Sequence, residues 1–104
     1  MRRDVLVWRC NTGAARVPGK RGRARVLRFG LPGQADISGL ACTPRRAGTR
    51  LEIECKAPEL GPRAAGRMSP AQKLFELDVR KFGGIYLIVH SATECLALLD
   101  AELY

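Results

Sequence analysis

The sequence predicts one α/β (α+β) domain over residues 1–104, with a mixed sheet of three antiparallel strands and one parallel strand, flanked by helices. Alternation of apolar and charged residues over Thr49–Lys56 indicates a half-buried strand, and the Pro/Gly-bounded connection before it indicates a hairpin. A capped helical stretch then precedes the continuous apolar run Ile85–Val89. Because a helix that connects two strands is a crossover, this last strand should lie parallel to Thr49–Lys56. A chain of this length has room for one core.

Basic residues are concentrated in the first half of the chain. The formal net charge is +8; residues 1–50 hold twelve Arg or Lys against two acids, whereas residues 51–104 hold six against eight. This segregation is typical of a polyanion binder, and no basic amphipathic helix supports the alternative of membrane-surface binding. No apolar run is long enough to span a membrane, and the apolar N-terminal stretch is too short for a secretory signal. We therefore expect a cytoplasmic protein.

The cysteines do not predict a metal site. Cys10, Cys42, Cys55 and Cys95 lack C-x-x-C spacing, and His90 is the only histidine. Zinc is therefore not expected, and buried free thiols in a reducing compartment are the prediction. A Cys–His nucleophile pair is the weaker alternative, and His90 is interpreted as a structural or surface residue.

The N-terminal half predicts two strands joined by a basic loop. Asp4–Asn11 is apolar on both faces, which favours a central strand with Trp8 in the core; a base-stacking Trp8 is the alternative. Asn11–Ala24 is rich in glycine and predicts a loop that grips phosphates, with a plain linker as the alternative. Its candidate phosphate-binding residues are Arg16, Lys20, Arg21 and Arg23. Arg25–Phe29 is the second predicted strand.

The next two strands carry the candidate chemistry. Ala35–Cys42 and Thr49–Lys56 form an antiparallel meander with either Asp4–Asn11 or Arg25–Phe29. In Thr49–Lys56, one face holds Leu51, Ile53 and Cys55, and the other holds Glu52, Glu54 and Lys56.

A hairpin centred near Arg46 places Asp36 opposite Lys56. Asp36 is then diagonal to Glu54, so both carboxylates can reach one cation. Two carboxylates beside a lysine describe a Mg²⁺ site for phosphodiester chemistry. A solvated strand face is the alternative interpretation of the charged residues.

The remaining chain predicts a flap, two helices and the buried strand. Residues 57–68 lack periodicity and indicate a mobile flap beside the metal site. Ser69 is a good N-cap, Pro70 suits the first helical position, and Gln72 completes a capping box. A second capping box, Ser91 to Glu94, opens the last helix. The stripes expected to pack on the sheet are Leu74, Phe75, Val79 and Phe82 in the first helix, and Leu96, Leu99 and Leu103 in the second.

Four blocks, G-Q-A-D-I-S-G, I-E-C-K, M-S-P-A-Q-K-L-F and G-G-I-Y-L-I-V-H-S, resemble in order and spacing the VRR-NUC family of virus-type replication-repair nucleases. This family is a branch of the PD-(D/E)xK nuclease superfamily, and the resemblance runs from about Trp8 to about Leu99. The resemblance implies the restriction-endonuclease-like fold. It also implies a protein of a bacterial or phage-infected cell. It also implies catalysis with Mg²⁺ or Mn²⁺, in which Asp36, Glu54 and the backbone carbonyl of Cys55 bind metal. Lys56 would orient or deprotonate water, and Gln72 would face that lysine or the substrate phosphate.

The predicted function is therefore a metal-dependent DNA endonuclease, selective for branched DNA such as four-way junctions or flaps and acting as a homodimer. The predicted nucleic-acid-binding residues are Arg16, Lys20, Arg21, Arg23, Arg63, Arg67 and Lys73. A non-catalytic DNA-binding module that keeps the nuclease fold is the alternative, and an RNA-directed nuclease is a third.

The chain departs from the family pattern at its start. The family carries a glutamate on a helix ahead of the first strand, and this chain begins almost at that strand, with Asp4 too close to replace it. A truncated domain that lacks this helix, a metal-binding role for Glu52, or a weakened site are the three expectations.

Overall fold

The computed structural model describes residues 2–10, 13–57 and 68–104. The strands in these ranges are β1 (Val5–Arg9), β2 (Gly13–Pro18), β3 (Ala24–Phe29), β4 (Ile37–Ala41), β5 (Arg50–Cys55) and β6 (Ile85–Val89). The helices are α1 (Pro70–Lys81) and α2 (Ala92–Leu103). No helix in the described ranges is both long enough and apolar enough to cross a bilayer.

The main sheet has the strand order β1-β4-β5-β6. β4 is antiparallel to both β1 and β5, and β6 runs parallel to β5 after the α1 crossover. The mixed α+β architecture with one parallel pair is therefore confirmed. Of the two candidates for the first strand of the meander, Asp4–Asn11 is the correct one, because β3 pairs with β2 in a separate two-stranded sheet.

The predicted hairpin register was wrong by two residues. Ile37 lies opposite Ile53 in the β4–β5 ladder. Asp36, one residue before β4, therefore lies beside Glu54 and not opposite Lys56. The Gly48 N–H donates to the Ala41 carbonyl, and Gly48 adopts the left-handed conformation (φ 73°). This turn geometry centres the connection one residue earlier than Arg46, since pairing resumes directly after the glycine.

β1 is an edge strand of the described sheet, and the prediction of a central, doubly covered strand was wrong. Trp8 is 42% exposed, so it is not a core residue. Its ring instead lies under the guanidinium group of Arg50, 5.7 Å from the ring centroid. Apolar residues on both faces of a strand therefore did not indicate burial here.

The predicted Asn11–Ala24 loop is mostly a strand and a turn. Gly13–Pro18 pairs with β3 along its whole length, and a 3₁₀ turn, Lys20–Gly22, joins the two strands. Arg21 (φ 58°) and Gly22 (φ 71°) are left-handed, which gives the turn the tight reversal that a hairpin needs. Of the predicted flap, residues 58–67 lie outside the described ranges.

The two faces of the main sheet differ in chemistry. The face under α2 forms the apolar core, whose buried members are Ala41, Leu51, Ile53, Ile85, Leu87, Val89, Leu99 and Leu103. The face under α1 carries buried polar groups, among them Ser38, Glu52 and Glu54. Phe75 of α1 meets Tyr86 of β6 edge to face on this side, with ring centroids 6.3 Å apart.

Several predicted core positions are exposed. Leu74 of α1, Phe82 at the C-cap of α1 and Leu96 of α2 are exposed, whereas Leu99 and Leu103 are buried as expected. The α1 stripe failed because that helix covers a polar face, with only Phe75 and Val79 of the predicted stripe partly buried. All four cysteines are free, but Cys42 and Cys55 are exposed, so their predicted burial was wrong.

Candidate active site

Four of the residues predicted from the sequence meet at one end of the sheet. Asp36 lies just before β4, Glu54 and Lys56 lie at the end of β5, and Gln72 lies in the first turn of α1. Close packing of the loop before β4 against α1 holds them together. A Cβ atom on Gly33 would clash with the Ala71 carbonyl, and Gly33 is left-handed (φ 75°), so only glycine fits there.

Glu54 is the buried acid of the cluster, with 5% of its surface exposed. Its Oε1 accepts a hydrogen bond from Gln72 Nε2 at 2.9 Å and lies 3.6 Å from Lys56 Nζ. Its Oε2 is buried and has no hydrogen-bond partner in the described part of the chain. Burial raises the pKa of Glu54, and the charge of Asp36 raises it further against the opposing effect of Lys56.

Gln72 connects the helix start to the carboxylate cluster. Its Oε1 accepts from the Ser69 N–H at 2.9 Å and from Lys56 Nζ at 3.3 Å, and Ser69 Oγ accepts from the Gln72 N–H. The predicted capping box is confirmed. The same side chain therefore caps α1 and contacts both Glu54 and Lys56, so the structural and functional interpretations of Gln72 are compatible.

Asp36 is the exposed acid of the cluster. Its Oδ2 accepts from the Cys55 N–H at 2.8 Å, which fixes the carboxylate at the end of β5. A hollow of about 560 Å³ lies beside Asp36 and Cys55. It is bounded by Trp8 of β1 and by Cys10, which follows β1. A hollow of this size can admit a phosphodiester group next to Asp36.

Glu52 belongs to a second polar network, which the sequence did not reveal. The residue is 1% exposed, and each carboxylate oxygen has a partner: Ser38 Oγ at 2.7 Å and Arg50 Nε at 2.7 Å. Cys10 Sγ and the side-chain amide of Gln34 extend the network. Both oxygens of Glu52 are engaged by protein donors, which links β4 to β5 and does not favour the metal-binding role considered for Glu52. The sequence signal for this network is Ser38, a polar residue at the position in β4 that pairs with Glu52.

Tyr86 was also missed as a member of this face. It is 2% exposed and lies beside Glu52 in the β5–β6 register. Its hydroxyl has no hydrogen-bond partner in the described ranges, and burial together with the charge of Glu54 raises its pKa. The continuous apolar run Ile85–Val89 predicted a buried strand, and the single tyrosine in this run did not indicate a polar role.

The other predicted residues lie elsewhere. Asp4 is at the opposite end of the sheet, where Arg2 and the Tyr104 hydroxyl contact its carboxylate, so it does not join the cluster. His90 contacts Glu94 at 3.2 Å, as a structural histidine would. The predicted nucleic-acid-binding residues Arg16, Lys20, Arg21 and Arg23 are exposed on the β2–β3 hairpin, Lys73 is exposed on α1, and Arg63 and Arg67 lie outside the described residues.

Within residues 2–10, 13–57 and 68–104, no three His, Cys, Asp or Glu side chains gather into a metal-binding group. The Asp36–Glu54 pair would therefore need a backbone carbonyl, water or substrate oxygen to complete a coordination shell. Comparisons of the chain with protein families, with curated proteins and with solved structures found no match.

Proposed function

We propose that this chain is a Mg²⁺- or Mn²⁺-dependent nuclease that hydrolyses phosphodiester bonds in DNA. The observation that carries the proposal is the buried Oε2 atom of Glu54, which lacks a hydrogen-bond partner in the described ranges while Asp36 and Lys56 lie close by. A buried carboxylate oxygen without a partner is costly and calls for an explanation. A cation bound at this oxygen offsets that cost.

The ligand set fits a hard divalent cation. Mg²⁺ prefers oxygen ligands, takes one or two protein carboxylates, and keeps several waters or phosphate oxygens. Asp36 and Glu54 supply the carboxylates, and the Cys55 carbonyl follows Glu54 directly in the chain. Burial raises the pKa of Glu54, repulsion from Asp36 raises it further, and a cation there favours the ionised form.

The bound metal would supply Lewis-acid polarisation of the phosphate and a lowered pKa for the attacking water. Lys56 Nζ is held between Glu54 Oε1 and Gln72 Oε1, so its ammonium group is fixed at the edge of the carboxylate pair. From there it orients the attacking water and stabilises negative charge that develops on the phosphate. Gln72 holds Glu54 and Lys56 in one geometry, which favours a preorganised site.

We further propose that the chain has the restriction-endonuclease-like fold and acts on branched DNA. The order of three antiparallel strands, a crossover helix and a parallel strand agrees with the restriction-endonuclease-like fold that the VRR-NUC resemblance implies. In that family setting the chain would act as a homodimer on branched DNA, since two sites related by a two-fold axis suit a symmetric four-way junction.

A non-catalytic DNA-binding module is the second candidate. The ion pair between Lys56 and Glu54 favours it, because a lysine already neutralises one of the two acids without any metal. Binding alone needs no divalent cation and leaves DNA intact, so metal-dependent cleavage separates the two functions.

The test is a cleavage assay on linear, flapped and four-way DNA with Mg²⁺, Mn²⁺ or EDTA. We expect cleavage only with metal, and a rate about 10²- to 10⁴-fold lower in Lys56→Ala because an electrostatic stabiliser of the transition state is removed. Lys81→Ala removes the same charge from the exposed end of α1 and should cleave like the parent. Circular dichroism must show that both variants are folded.

Two outcomes count against the proposal. Equal cleavage by Lys56→Ala and the parent would make Lys56 an ion-pair partner only. DNA that stays intact with both metals, although the protein binds it, would favour the non-catalytic module.

A further inference from the structure

We propose that the β2–β3 hairpin is a DNA-binding arm that enters the major groove of B-form DNA as a two-stranded ribbon. The proposal rests on DNA being the substrate, as argued above, but it concerns binding and not cleavage.

The hairpin has the charge of a polyanion-binding surface. Residues 11–35 contain six Arg or Lys and no Asp or Glu. The described cationic side chains Arg16, Lys20, Arg21, Arg23 and Arg25 are all exposed. In the described ranges none of these five is in an ion pair, whereas Arg2, Arg46, Arg50 and Arg80 each contact an acid. Their charge is therefore available to phosphates.

The shape of the hairpin selects the groove. Its strands are six residues long, about 20 Å at the usual rise, and no third strand pairs with them in the described part of the chain. A two-stranded ribbon fits the B-DNA major groove, which is about 12 Å wide. The major groove of A-form RNA is too deep and narrow for side chains to read. Shape therefore favours duplex DNA over duplex RNA.

The turn places basic side chains at the leading end of the ribbon. Arg21 and Gly22 are both left-handed, so the chain reverses within the Lys20–Gly22 turn. Lys20, Arg21 and Arg23 surround this reversal and are exposed. Arginine and lysine bind phosphates, and phosphate contacts carry no sequence information, so the tip can hold the duplex without strong sequence preference.

The arm begins and ends beside the candidate active site. The Cys10 N–H, just after β1, donates to the Asp36 carbonyl at 2.8 Å, and Gln34 Nε2, after β3, donates to Cys10 Sγ at 3.3 Å. Both connections of the hairpin therefore leave the sheet at the end where Asp36 lies. The arm therefore extends from the end of the sheet that carries the carboxylates proposed to bind metal.

The first arm of the test measures binding to a DNA duplex in EDTA over a range of salt concentrations, by fluorescence anisotropy. Combined replacement of Lys20, Arg21 and Arg23 by alanine should weaken binding and flatten the log–log salt dependence by about 0.9 for each phosphate that the variant no longer neutralises. The matched control replaces Arg3, Arg45 and Lys81, three exposed cations at the opposite end of the sheet, and should keep the slope of the parent. If both triple variants bound DNA equally weakly, the hairpin would contribute only general electrostatic attraction. That result would overturn the proposal.

The second arm distinguishes the groove. A duplex whose pyrimidines carry bulky C5 substituents has a filled major groove, and we expect the parent to bind it at least about tenfold more weakly than unmodified DNA. The hairpin variant should not show this discrimination. Equal parental affinity for the filled duplex, or for an RNA duplex of the same sequence, would overturn groove entry. Because metal is absent throughout, a chain that never cleaves DNA can still pass this test.

Discussion

The two faces of β5 are equally buried and chemically opposite. Leu51 and Ile53 point to the side covered by α2 and join the apolar core, whereas Glu52 and Glu54 point to the side covered by α1. Burial alone therefore does not separate the residues that stabilise the fold from those that can act on a substrate. What separates them is whether each buried polar atom has a hydrogen-bond partner.

The polar face divides again into a satisfied acid and an unsatisfied one. Both oxygens of Glu52 have protein partners, in Ser38 and Arg50. Glu54 has partners at Oε1 but none at Oε2 in the described ranges. A closed network of this kind stabilises local structure, whereas an unsatisfied buried oxygen calls for an explanation, which the proposed metal site would supply. Two residues apart on one strand, the two acids thus differ in whether both carboxylate oxygens have a hydrogen-bond partner in the described ranges.

The largest effect on stability is expected from the apolar face. Leu51→Ala should lower the free energy of unfolding by about 2–5 kcal/mol, because it removes a fully buried side chain from the centre of the core. The same substitution at the exposed Leu77 should change it by less than about 0.5 kcal/mol. Urea denaturation followed by circular dichroism measures both. A destabilisation at Leu51 no greater than at Leu77 would contradict the division of faces.

A smaller effect, of opposite sign for the two acids, is expected on the polar face. The folded pKa of Glu54 is raised, so its stabilising contribution is present below the unfolded pKa and is lost as pH rises through the folded pKa. Without metal, Glu54→Gln should therefore melt above the parent near neutral pH and by a smaller margin in acid. Glu52→Gln should melt below the parent, because it weakens the contact with Arg50.

Thermal melts from pH 4 to pH 8 without divalent metal give the comparison. If the melting temperatures of the parent and of Glu54→Gln differed by the same amount at every pH in this range, Glu54 would carry no burial cost. Stabilisation by Glu52→Gln would mean that its network is also unsatisfied.

Strand alternation and capping signals predicted most of the site. The period of two placed Glu54 and Lys56 on one face, and the S-P-x-Q start placed Gln72 at the first turn of α1. The hairpin register could not be read from the sequence, because it depends on the left-handed conformation of Gly48. Glycine and a proline occur together in that connection, and several turns fit them equally well.

The N-terminal region was predicted less well, for two physical reasons. The apolar residues of Asp4–Asn11 suggested a central strand, but edge or centre is decided by which strands pair with it, and that is a long-range choice. Glycine and basic residues in Asn11–Ala24 suggested a loop. Pairing with β3 overrides that low local preference for a strand, as tertiary contacts commonly do.

Binding of Mn²⁺ measured by calorimetry tests the central claim most directly, with Asp36→Asn as the variant. Asp36 is exposed, and an asparagine oxygen can still accept the Cys55 N–H, so the variant should keep the circular dichroism spectrum of the parent. If Asp36 and Glu54 converge on one cation, the parent binds Mn²⁺ and the variant does not. Unaltered affinity in a folded Asp36→Asn protein would contradict the proposed metal site.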